Sequence, residues 1–183
     1  MVKSPNITEM IEKYFVATSD AITTLYQKSL FGHLLVVIYS TIDTLGFLDA
    51  PADQESASGE SFKNWVKKYL LQYPGIEFDE TDLWSARCAV LHTFTTQSRL
   101  SRSGNARELQ YYGGDKSTKL VADFVAEIKK LEDGKHLPVN FDDLCMALLE
   151  ALKGFVYDLD SKCVSDPKYE KRMRNILQIF HNP

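Results

Sequence analysis

Apolar and polar positions alternate with a helical period along most of the chain. In Thr8 to Lys28, the residues Ile11, Tyr14, Phe15, Ile22 and Leu25 fall near one face, with Thr18 the one polar residue on it. Leu30 to Leu48 is apolar nearly all round, the pattern of a helix enclosed by others. Asp49 to Ser61 has no apolar side chain larger than alanine, proline aside, and predicts a loop. Ser61 is a candidate cap for a third helix, Phe62 to Gln72, with Trp65, Val66, Tyr69 and Leu70 inward and Pro74-Gly75 ending it.

The pivotal stretch is a fourth helix from about Asp82 to Thr96, with Thr81 and Asp82 suited to its start. Trp84, Cys88, Leu91 and Thr95 share one stripe, which Leu83, Val90 and Phe94 widen on one side. Arg87 falls inside that widened stripe and His92 on its opposite shoulder. A guanidinium does not neutralise at ordinary pH, so Arg87 requires a carboxylate, a phosphate or another chain.

Beyond this helix the pattern changes. Gln97 to Asn105 reads as a Ser/Gly/Arg loop, Glu108 to Tyr112 as a short strand, and Ser117 to Glu132 as an amphipathic helix stopped by Asp133-Gly134. His136 to Asn140 predicts a second short strand pairing with the first, confined to an edge by Pro138. Phe141 to Leu159 is a strong helix, and Lys168 to Phe180 a last one whose Lys168, Lys171, Arg172 and Arg174 predict a solvated basic face. The expected fold is mainly α, a helical bundle with at most a small β-hairpin. It forms a single domain, with a core over about 8–96 and additional helices over 116–181.

Composition narrows the function classes. The 183 residues are 44% hydrophobic and 25% charged, ordinary for a globular chain, and the net charge of −4 leaves nucleic-acid binding to local patches. Three cysteines, Cys88, Cys145 and Cys163, lie far apart, without a Cys-x-x-Cys, which fits a reducing cytoplasm. Leu30 to Leu48 approaches the length of a membrane span, yet His33, Ser40, Thr41, Asp43, Thr44 and Gly46 interrupt it; a core helix of a cytoplasmic, soluble protein is expected. Phosphate loops, nucleophile elbows, His-Glu-x-x-His and EF-hand loops are absent. Cys88 and His92, four apart, would share a helix face, but no further ligand pair accompanies them, so neither metal nor cofactor is expected.

The remaining chemistry is Arg-x4-His at Arg87 and His92. With Ile38-Tyr39-Ser40-Thr41-Ile42-Asp43-Thr44-Leu45-Gly46, a polar loop and a Phe/Trp-bearing helix ahead of Leu83-Trp84-Ser85-Ala86-Arg87-Cys88-Ala89-Val90-Leu91-His92, the chain resembles the HEPN superfamily over roughly Ile38 to Thr95. That resemblance implies an all-α bundle and a metal-independent ribonuclease of toxin or defence type. It also implies a homodimer with the motifs of two subunits in one cleft, and an antitoxin-like protein as a possible partner. Arg87 would hold phosphate and His92 move protons. Cys88 stands where many members carry Asn, Asp or His.

Two further readings stand beside this one. Arg174 and His181 form a second Arg-x6-His match, with Asn175 after the arginine. Asp43 is the one acid between Ser29 and Leu48, so a salt bridge to Arg87 would make the pair structural, in a non-catalytic module that binds protein or nucleotide. In an ideal helix, Arg87 and His92 diverge by about 140° and rise about 7.5 Å apart, which argues for a site completed by a partner chain or a distorted helix end. Arg99, Arg102 and Arg107 are candidate RNA phosphate contacts. Tyr111, Tyr112, Trp65 and Trp84 are expected in the core rather than stacked on bases.

Overall fold

A computed structural model describes residues 6–176. The chain folds into eight α-helices, among the described residues, and one two-stranded sheet. In order these are α1 (Ile7–Gln27), α2 (Phe31–Asp49), α3 (Gly59–Lys68), α4 (Glu80–Thr93), α5 (Arg99–Arg102), β1 (Glu108–Tyr112), α6 (Lys119–Lys130), β2 (His136–Asn140), α7 (Phe141–Ser165) and α8 (Pro167–Arg174). The mainly α bundle expected from the periodicity is the architecture observed.

The centre is α2. It buries Leu34, Leu35, Ile38, Tyr39, Thr41, Ile42, Leu45, Gly46 and Leu48, and it touches α1, α3, α4, α7 and α8. It alone among the described residues is long and apolar enough to cross a membrane, and half of that stretch is packed inside the protein. Gly46 sets its approach to α3: a Cβ there would lie 2.7 Å from the Ser61 carbonyl oxygen. Any larger residue would push the two backbones apart.

Local chemistry explains the element boundaries. Ser58, not Ser61, caps α3; Ser61 is the third helical residue and returns a hydroxyl to the Ser58 N–H, so the two serines satisfy each other's orphan groups. Asp79 does the same for α4 with Asp82. The stretch expected as a flexible Ser/Gly/Arg loop contains α5, started by a Ser98–Ser101 box whose Ser98 hydroxyl also meets Ser85 at 2.6 Å.

Both short strands form with the expected bounds and pair with each other, Glu108 opposite His136 and Tyr112 opposite Asn140. They run parallel rather than as a hairpin. Helix α6 carries the chain back to the starting end between them, which is the connection parallel strands require.

The last helix departs from its expected solvated basic face. Arg172 is buried at 8% exposure and donates to four carbonyl oxygens, of Phe47, Ala50, Pro51 and Gln54, each at 2.8 Å. Its guanidinium also lies 4.6 Å from the centre of the Phe47 ring. This clasp orders the loop after α2. The expected extension of the helix to Phe180 lies outside the described residues.

Candidate functional site

Helix α4 carries the candidate pair, and two acidic residues fix its position. At its start, Asp82 is almost wholly buried and accepts three bonds from Arg107: the backbone N–H at 2.7 Å, Nε at 2.9 Å and Nη2 at 2.5 Å. Arg107 also donates to the Glu77 carbonyl at 2.9 Å. Arg107 is therefore a tie between α4 and β1, not the phosphate-binding arginine the sequence suggested. Arg99 and Arg102 are exposed on α5 and carry no ion pair among the described residues.

In the middle of α4, Arg87 meets Asp43 of α2. Its Nε and Nη2 reach the same carboxylate oxygen, Oδ2, at 2.9 Å and 2.6 Å. Both side chains are 19% exposed. The salt bridge inferred from the lone acid of α2 is thus present, at the rim of the core rather than within it. Burial opposes the Arg87 charge, but Asp43 outweighs it and holds the guanidinium above its ordinary range. The Trp84 ring lies beneath, 5.1 Å from the guanidinium carbon, and is itself half-buried against Phe62. Cys88 beside it is pushed up by burial, so its thiol stays protonated at neutral pH and is no nucleophile.

The third donor nitrogen of Arg87 points elsewhere. Nη1 lies 3.3 Å from Nε2 of His92, within one chain. The ideal-helix argument for a partner chain does not hold here, because the arginine side chain is long enough to span the turn between them. A guanidinium only donates, so in this contact Nε2 is the acceptor. His92 is exposed, in the last turn of the helix. Asp43, Arg87 and His92 form a line from a half-buried anion to an accessible base.

The chain matches no family model, no curated protein and no solved structure. What the site does must be argued from its own atoms. Among the described residues no group of three or more His, Cys, Asp and Glu gathers as a metal site would require. Arg174 of the second Arg-x6-His match pairs with Glu170, and His181 lies outside the described residues.

One residue near the site escaped the sequence reading. Phe94, expected in the widened apolar stripe, is 61% exposed. Helix α4 ends at Thr93, and Phe94 adopts a left-handed backbone, φ 54° and ψ 38°, which turns its ring out of the helical stripe. The signal was available: Thr93, Thr95 and Thr96 surround Phe94 with β-branched residues that disfavour continuing a helix.

Proposed function

We propose that this protein is a metal-independent RNA endonuclease acting through Arg87 and His92. The observation that carries the reading is the 3.3 Å contact between Arg87 Nη1 and an exposed His92 Nε2, with Asp43 fixing the far side of the guanidinium. His92 Nε2 removes the proton of an RNA 2′-OH. The 2′-oxygen attacks phosphorus, the bond to the 5′-oxygen breaks, and that oxygen takes a proton from water, leaving a 2′,3′-cyclic phosphate. Protonation ends the acceptor role of Nε2 toward Arg87, so Nη1 turns to the negative charge that develops on the phosphorane oxygens. Asp43 holds the guanidinium plane in place throughout. Arg99 and Arg102 add phosphate contacts on α5, whose anchor at Ser85 lies seven residues before His92 and so on its side of the helix. In keeping with the HEPN resemblance, two copies of the chain would set their sites across one RNA cleft, and an antitoxin-like partner would cover it.

The test is cleavage of a mixed labelled RNA in chelator by the wild type, Arg87→Ala and His92→Ala, each shown folded by circular dichroism. Activity lost in both variants, with cyclic phosphate ends in the wild type, supports the reading. An inert wild type, or variants that cut equally well, removes it.

A second reading has its own observation. Asp43 engages two of the three guanidinium nitrogens, and Cys88 replaces the polar residue common after the arginine. In a non-catalytic protein- or nucleotide-binding module of the same fold, the pair would serve to join α2 to α4. That reading predicts that Arg87→Ala lowers thermal stability while no RNA is cut by any form.

A further inference from the structure

Just past the end of α4, two residues after His92, an exposed aromatic ring stands over a small apolar cleft. We infer that Phe94 and this cleft form the subsite that stacks a nucleobase of single-stranded RNA next to the scissile phosphate; the inference rests on the ribonuclease reading above.

Three observations carry it. First, Phe94 is held in a strained conformation that β-carbon-bearing residues rarely adopt, with most of its ring in solvent. Second, room has been made for it: a Cβ on Gly32 would lie 2.6 Å from the Phe94 ring tip, so the glycine lets that tip reach the start of α2. Leu35, Val90 and Tyr111 wall the cleft behind, about 150 Å³ in volume. An apolar cavity of roughly that volume is known to hold a benzene ring. Third, the cleft continues the catalytic line. Phe94 directly follows the last residue of α4, two positions after His92, and His33 lies 6.1 Å from the Phe94 ring on the facing helix.

The polar groups around the cleft are already engaged. Thr96 donates to Glu108 at 2.6 Å, Thr95 shares a bond with Thr93 at 2.8 Å, and the Tyr111 hydroxyl is bound to that of Tyr39. The subsite therefore reads a ring face and its size rather than hydrogen-bonding edges. A single six-membered ring, as in a pyrimidine, fits the volume better than a purine.

The test is binding of fluorescein-labelled 2′-O-methyl oligouridylate and oligoadenylate, which cannot be cleaved through a 2′-OH, by fluorescence anisotropy. Phe94→Ala should weaken oligouridylate binding about tenfold, while Phe94→Tyr keeps it within about twofold and both variants melt within a few degrees of the wild type. On cleavable RNA, Phe94→Ala should raise KM far more than it lowers kcat. Equal affinity for wild type and Phe94→Ala in a protein that still cleaves RNA overturns the subsite and leaves the nuclease standing. A wild type that neither binds nor cuts overturns both. Tighter binding of oligoadenylate than of oligouridylate overturns the size preference.

Discussion

Arg87 and Arg172 are both arginines on helices that pack against α2, and they are used in opposite ways. Arg172 has no carboxylate partner among the described residues, yet four carbonyl oxygens take up its two Nη groups and the Phe47 ring covers its face. Arg87 has a carboxylate, but both of its bonds fall on one oxygen and its remaining nitrogen faces an exposed imidazole. A guanidinium buried with both Nη groups so engaged holds structure together. An unsaturated one at the rim of the core keeps donor capacity for a ligand. Burial and the count of engaged donors, rather than the presence of a salt bridge, separate a guanidinium used up within the fold from one that keeps donors free.

The contrast can be broken most decisively at Arg172. Arg172→Ala should cost about 3 kcal/mol or more in urea denaturation, because it strands buried carbonyls and frees the loop after α2. Arg172→Lys should recover little, since one ammonium cannot reach four carbonyls. A loss under about 1 kcal/mol would make the clasp an ordinary surface contact. Next in size is the link between α2 and α4: a double-mutant cycle of Asp43→Asn with Arg87→Ala should give a coupling of about 1–2 kcal/mol, and a coupling near zero would remove Asp43 from the site.

Arg87→Lys sharpens the comparison further. It should cost about 0.5–1 kcal/mol of stability while RNA cleavage falls at least about tenfold, because an ammonium cannot hold Asp43 and a phosphate as a planar fork does. Cleavage unchanged in this variant would mean the fork geometry is not used. The smallest effect lies at Asp158, whose carboxyl is held below its ordinary range by the Tyr69 hydroxyl, with Lys68 adding to it. A depressed carboxylate stabilises the fold above its unfolded value near 3.8, and that contribution fades as pH falls through the lower folded value. Asp158→Asn should therefore cost under about 0.5 kcal/mol at pH 7, the pair being solvent-screened, and progressively less as pH falls below 3.8 through the lower folded value. A difference that grows on acidification would reverse the assignment.

Much of this was legible in the residues, and the exceptions have physical reasons. The strand bounds followed from Glu108 to Tyr112 ahead of Gly113-Gly114 and from His136 to Asn140 after Asp133-Gly134, and the direction of pairing was implicit too, since a helix between the strands leaves only a crossover. Asp43 was legible as the partner of Arg87 because nothing else acidic lies on the apolar length of α2. Arg172 was not, because backbone carbonyls have no signature in a sequence. The meeting of Arg87 with His92 was missed by reckoning from ideal helix angles without the reach of the arginine. Phe94 was misplaced because the apolar stripe was extended into a residue flanked by Thr93, Thr95 and Thr96, where the helix ends.

The Arg172 clasp also bears on how the protein is made. The carbonyl of Ala50 and the side chain that donates to it are 122 residues apart in the chain. At a translation rate of about 5–20 residues per second, the loop after α2 waits roughly 6–24 seconds for its ligand to leave the ribosome. During that interval α2, the most apolar helix of the chain, ends in an unfastened loop, which makes the nascent polypeptide most vulnerable to proteases and to wrong partners late in synthesis rather than early.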